Sequence, residues 1–101
     1  MADTSIWEAG RAEELAEILK GLAHPLRLRI VACLARGECN VSALAEELAA
    51  PQAIVSQQLR ILRMHRLVSV LREGGLAHYS LRESRLRKLL ACLDGHGKDG
   101  R

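Results

Sequence analysis

Pro51-Gln52-Ala53-Ile54-Val55-Ser56-Gln57-Gln58-Leu59-Arg60 opens with a proline, which suits a helix start, and then sets Val55 and Leu59 four residues apart, with Leu62 continuing the stripe. This pattern predicts a helix from about Gln52 to His65. Gln52, Ala53, Ser56, Gln57, Arg60 and Arg63 fall on the arc of its wheel opposite the apolar stripe. Between Leu48 and Arg72 there is no acidic residue, yet Arg60, Arg63, Arg66, Arg72 and His65 all lie there. That window carries +4 from its four arginines, the chain carries +3, and the remainder is therefore −1 (+3 less +4). An uncharged-to-basic helix face in an otherwise balanced chain suits docking against a phosphate backbone.

Working outward, Val41-Ser42-Ala43-Leu44-Ala45-Glu46-Glu47-Leu48 reads as a shorter helix, with Ser42 as the expected N-cap and Leu44 and Leu48 in i, i+4 contact. Ala49-Ala50-Pro51 separates the two helices. On the other side the period changes. Leu67–Arg72 and Leu76–Leu81 are β-prone runs around Glu73-Gly74-Gly75, which predicts a hairpin. A first helix is expected over Ile6 to Lys20, loosened at Gly21, and a second from His24-Pro25 to Gly37 with Leu26, Ile30, Cys33 and Leu34 inward. The last helix, about Glu83 to Leu93, carries Leu86, Leu89, Leu90 and Leu93 on one stripe.

Two short helices around a tight turn, the second polar outside, then a hairpin, describe a winged helix-turn-helix. The expected class is mostly α (α+β): about five helices and a two-stranded wing. In that fold Gln52 and Gln57 present amides to base edges, while Ala53 and Ser56 let the backbone come close. Arg60 and Arg63 meet phosphate or guanine, and Arg72 places a guanidinium beside the wing's glycine turn. The competing reading of the helix is an ordinary solvated amphipathic face.

The 101 residues allow one small core, built from Leu, Ile, Val and Ala because Phe is absent and the only aromatics are Trp7 and Tyr79. Residues 1–94 are read as one DNA-binding and dimerisation domain and 95–101, with His96, as a flexible tail. So small a chain with an apolar helix face to spare is expected to pair as a homodimer. No apolar run reaches the roughly 18 residues a bilayer span needs, and the N-terminal segment is acidic rather than signal-like. The expectation is a cytoplasmic protein without a membrane partner, in which Cys33, Cys39 and Cys92 stay free of structural disulfides. No nucleophile elbow, phosphate loop or metal-ligand helix is present, so no enzyme is expected and no cofactor is required.

LAHPLRLRIVACLARGE (Leu22 to Glu38), VSALAEEL (Val41 to Leu48), IVSQQLRILRMHRLV (Ile54 to Val68) and REGGLAHYSL (Arg72 to Leu81) together resemble the ArsR/SmtB family of dimeric winged-helix repressors. The resemblance implies a homodimer joined through its first and last helices. It further implies repression at a palindromic operator in double-stranded promoter DNA and release when an inducer acts. The family's arsenic-type Cys-x-Cys positions correspond here to Asn40 and Ser42, with Cys39 displaced by one. Its zinc-type site on the last helix would have Glu83 and Asp94 but no histidine before His96.

Cys33 corresponds to one cysteine of the dithiol switch in sulfide- and redox-responsive members. Cys92 is its counterpart in the last helix, about six residues earlier than usual. Release through Cys33 and Cys92 is the leading expectation, and an arsenite or soft-metal site using Cys33, Cys39 and Cys92 the alternative. Cys33 on its apolar stripe also reads as a small buried hydrophobe, and Cys39 as a turn residue near Arg36, a cation able to lower a thiol pKa. His24 reads as a helix-start residue, His65 as part of the basic surface, and His78 as a wing residue. A reading from another class is a winged-helix protein–protein module; a thiol oxidoreductase would need a Cys-x-x-Cys, which is missing.

Overall fold

The computed structural model describes residues 8–94. The expected tail 95–101 with His96, and the expected helix start at Ile6, lie outside them. Five helices and three strands follow in the order α1 (Ala9–Leu22), α2 (Pro25–Leu34), β1 (Cys39–Asn40), α3 (Val41–Leu48), α4 (Gln52–Met64), β2 (Val68–Glu73), β3 (Leu76–Leu81) and α5 (Arg85–Asp94). This is a winged helix-turn-helix, mostly helical, with α3 and α4 as the helix pair and β2–β3 as the wing. None of the described helices is long and apolar enough to cross a membrane.

Ile30, Val31 and Leu34 of α2, Leu44 of α3, and Val55, Leu59 and Leu62 of α4 have no exposed surface and form the centre of the core with Leu67 and Leu86. The inward stripe of α4 is therefore the one its spacing predicts. Helix α1 runs through Gly21 rather than loosening there. Gly21 is buried, and a Cβ on it would stand 2.6 Å from Leu67 Cδ1 and 3.0 Å from His65 Cβ, so the missing side chain lets α1 close on the end of α4. His24 does start α2, its Nδ1 accepting from the Leu26 amide at 3.1 Å. That helix stops at Leu34, short of the expected Gly37, and a turn through Arg36 and Gly37 follows.

Two expectations at the next junction are corrected. Ser42 is not the N-cap of α3. Asn40 is, its Oδ1 accepting from the Ala43 amide at 2.8 Å, because an extended residue just before the helix is what places a side-chain oxygen over the free amides. Cys39 is not in a turn either. With Asn40 it forms a short strand that pairs antiparallel with β3, Cys39 opposite Tyr79 and Asn40 opposite His78. The wing hairpin therefore belongs to a three-stranded sheet of order β1-β3-β2.

Both helices of the pair end on a left-handed residue that is not glycine: Ala49 (φ 52°) after α3 and Arg66 (φ 61°) after α4. In each case two amides reach back to orphan carbonyls, Ala50 to Ala45 (3.0 Å) and Ala49 to Glu46 (3.2 Å), then Leu67 to Leu62 (3.0 Å) and Arg66 to Arg63 (2.9 Å). These tight endings turn the chain sharply into α4 and into β2. At the wing tip Gly74 (φ 56°) and Gly75 (φ 82°) supply the two left-handed residues that a two-residue hairpin turn requires. Helix α5 begins at Arg85 rather than Glu83; the Glu83 carboxylate stands just ahead of it and accepts from the Arg85 amide at 3.2 Å.

Candidate nucleic-acid interface

Gln52, Ala53, Ser56, Gln57, Arg60 and Arg63 are all exposed, on the side of α4 away from Val55, Leu59 and Leu62. The helix holds no carboxylate along its length. Arg72 is exposed near the outer end of β2, its Cα opposite Ala77 and one residue from the Gly74-Gly75 turn's flank at Glu73. The geometry thus puts the six α4 residues on one continuous face and Arg72 on the wing. Among the described residues, Arg60, Arg63 and Arg72 make no ion pair. Their guanidinium groups have no internal carboxylate to give up before meeting an anion.

Two residues that the sequence reading did not place in the site hold this face in position. Gln58 is polar yet only 8% exposed, and it lies on the inward arc, three residues after Val55 and four before Leu62. Its Oε1 accepts from Arg27 of α2 at 2.9 Å, while the same guanidinium donates through Nε to the Gly21 carbonyl at 2.6 Å. One cation therefore ties α4 to the end of α1, and satisfies a buried amide oxygen whose orphaning would cost about 1–3 kcal/mol. A polar residue on an apolar stripe was the available signal. Ser42, displaced from its capping role, accepts from Gln52 Nε2 at 2.9 Å across the α3–α4 turn. That bond orients the Gln52 amide and leaves its Oε1 free to accept; no sequence signal pointed to it.

Around α1 and α5 several charges are paired. Glu17 of α1 meets Lys20 and His65, both at 3.2 Å, and Lys20 before all else holds its carboxyl below the ordinary range. Arg85 of α5 binds Glu83 at 2.6 Å and Glu14 of α1 at 3.6 Å. The Arg85 hydrogen bond likewise lowers the Glu83 carboxyl. Leu19 (58% exposed) on α1 and Leu93 (70% exposed) on α5 leave apolar surface open on the two outer helices.

The three thiols are free. Cys33 and Cys39, both half-buried, line one cleft of about 200 Å³ with Arg36, Gly37, Glu38 and Glu47. Arg36 donates to Cys33 Sγ at 3.8 Å and to Glu47 at 3.0 Å. The cation assists the Cys33 thiolate, but burial is the larger influence and pushes the thiol up. Cys92 is exposed on α5. Among the described residues no three His, Cys, Asp or Glu side chains come together in a metal-holding group. Glu83, offered by the sequence to a zinc-type site on the last helix, lies ahead of α5 and accepts from the Arg85 guanidinium.

The model of the family described as bacterial regulatory protein, arsR family, matches residues 24–70, which span α2, α3, α4 and the start of the wing. The chain is 42% identical over 86 residues to the transcriptional repressor SmtB homolog of Synechocystis sp., covering 85% of this chain and 65% of that protein's length. Its structure superposes on the transcriptional repressor BigR from Xylella fastidiosa with a TM-score of 0.81 at 34% identity, covering 90% of this chain and 93% of the other. It superposes on the homodimeric winged helix-turn-helix DNA-binding domain of Mb0332 from Mycobacterium bovis, a possible ArsR-family transcriptional regulator, with a TM-score of 0.76 at 30% identity, covering 96% and 90%. The fold, the α3–α4 pair and these relationships lead to one conclusion: the chain belongs to the arsR family of bacterial regulatory proteins and is a transcriptional regulator, not an enzyme.

Proposed function

We propose that this chain is a homodimeric repressor that binds a palindromic operator in double-stranded DNA and is released by thiol chemistry. The observation that carries the DNA-binding part is the outward face of α4, where Gln52, Ala53, Ser56, Gln57, Arg60 and Arg63 are exposed together with no carboxylate on the helix. A helix of that width enters the major groove. Gln52 and Gln57 read base edges, Arg60 and Arg63 take phosphate or guanine, and Arg72 reaches a neighbouring phosphate or the minor groove from the wing. Each bidentate base contact discriminates by about 1–3 kcal/mol, so a few per subunit, doubled by two-fold symmetry, suffice for an operator.

Dimerisation through α1 and α5 is supported by the exposed Leu19 and Leu93, with Leu15, Leu89 and Leu90 half-buried beside them, and by the homodimeric state of the Mb0332 domain. Residues 1–94 form the DNA-binding and dimerisation unit, and the protein acts in the cytoplasm beside its promoter. For the trigger, Cys33 lies next to Arg36 in a cleft, and its partner thiol is either Cys92 on α5 or Cys39 in the same cleft. The alternative inducer is arsenite or a soft metal ion held by Cys33, Cys39 and Cys92, within one chain or across the two subunits.

Binding measured against a promoter fragment at several salt concentrations tests the first part. Affinity must fall linearly on a log–log plot, with a slope of about −0.9 per phosphate neutralised. A protein indifferent to every duplex at low ionic strength would be a protein–protein module instead.

A further inference from the structure

Cys33 and Cys39 approach one another from different elements, the last turn of α2 and the strand β1, and share the walls of a single cleft. Cys39 is also close enough that a thiolate there disfavours one at Cys33. Arg36 lies in the turn between them and bridges Cys33 Sγ to Glu47 of α3. Cys92, by contrast, is exposed on α5 and lines no part of that cleft.

We infer that Cys33 and Cys39 of one subunit form the thiol pair that a small peroxide oxidises to an intrasubunit disulfide, loosening the hold on DNA. The inference rests on the thiol-release reading above and names the pair that carries it. The oxidant is a small peroxide, which reaches both sulfurs in this open cleft beside the Arg36 guanidinium and the Glu47 carboxylate. Arg36 donates to Cys33 Sγ while burial disfavours a thiolate there, and this places Cys33 as the second, resolving thiol. The Cys39 thiolate attacks one peroxide oxygen, the O–O bond breaks, and the departing hydroxide takes a proton to become water, leaving Cys39 as a sulfenic acid. Cys33, its developing thiolate facing Arg36, then attacks that sulfur and expels hydroxide, which takes up the Cys33 proton. Two thiols and one peroxide become one disulfide and two waters; the sulfurs lose two electrons and the peroxide gains them.

A route from this bond to the DNA face runs through adjacent contacts. Cys39 pairs with Tyr79 of the wing strand β3, and its chain neighbour Asn40 caps α3. Helix α3 in turn carries Ser42, which orients Gln52, and Glu47, which holds Arg36. Pulling β1 toward α2 shifts the start of α3, and with it the entry to α4.

Trypsin makes the test clean, since cleavage after Arg29, Arg36, Arg60, Lys88 and Lys98 puts each thiol on its own peptide: 30–36, 37–60 and 89–98. The reduced full chain is treated with hydrogen peroxide, alkylated, run on a non-reducing gel, mapped by mass spectrometry, and assayed for operator binding. The expected result is a 30–36/37–60 crosslink in a band of monomer mobility, with operator affinity reduced about tenfold, within the usual range of coupling between sites. Cys39→Ser should lose both crosslink and response, and Cys33→Ala should do the same; Cys92→Ser should keep both. Operator binding by each reduced variant confirms its folding. A 30–36/89–98 crosslink, or a response lost with Cys92→Ser and kept with Cys39→Ser, overturns this pair while leaving thiol release standing. Oxidation that leaves operator binding unchanged in the unmutated chain overturns thiol release itself.

Discussion

The α4–wing surface and the α1–α5 surface belong to one small chain, yet they differ in how many carboxylates stand among their cations. On the first, Arg60, Arg63 and Arg72 are exposed with no ion-pair partner among the described residues. On the second, Lys20 and Arg85 are each matched to a carboxylate, although Arg87 and Lys88 of α5 are exposed without an ion pair among the described residues. A cation already paired contributes little to capturing an anion, because the incoming phosphate must replace a contact as well as shed water. An unpaired one keeps its full charge for the ligand. The lesson is that the net charge of +3 says less about partners than where the carboxylates have been left out.

The contrast can be broken first from beneath. Leu59→Ala, emptying a side chain with no exposed surface under the cationic face, should destabilise the protein by about 2–5 kcal/mol in urea titration. Gln57→Ala, two residues away on the exposed face, should leave that titration within about 0.5 kcal/mol of the original. Next in size, Arg60→Ala combined with Arg63→Ala should weaken operator binding on the order of a hundredfold and make the salt dependence shallower, with little change in melting. Lys20→Ala, removing a paired cation, should leave operator affinity unchanged; an equal loss from both would erase the distinction between the two surfaces.

The smaller effects sharpen it. Glu83, its carboxyl lowered by Arg85, contributes stability that is complete above the ordinary carboxylate value of 4.5 and lost as pH falls through the lowered one. Wild type should therefore lose about 0.5 kcal/mol more than Glu83→Gln on acidification below about pH 4, as read by thermal melts. Ala49→Gly relieves a left-handed alanine at the entry to α4 and should stabilise by less than about 1 kcal/mol, the entropy of glycine offsetting part of the gain. Operator affinity should be unaltered by it.

Among the elements, those with strong period were legible in advance. Val55, Leu59 and Leu62 announced both faces of α4, and the Gly74-Gly75 pair announced the wing turn. The two-residue strand β1 was not, because so short a segment has no period and owes its conformation to pairing with Tyr79 and His78. Asn40 capping α3 in place of Ser42 follows from the same pairing, which holds Asn40 extended just ahead of the helix. The candidate site divides along this line: its outward residues could be counted from Pro51, whereas Arg27 on Gln58 and Ser42 on Gln52 join residues of different helices.

The order of residues dictates a pattern of local choices: which residues repeat at helical spacing, where carboxylates are missing, and where glycine permits a turn. Those are properties of the chain's own stereochemistry and solvation, felt within a few residues. Which distant groups meet is settled by the packed fold, as in the shared cleft of Cys33 and Cys39, the closure of α1 over Gly21, and the orientation of the Gln52 amide. Such meetings depend on how helices pack against one another, and packing is fixed by the whole core at once rather than by any one segment.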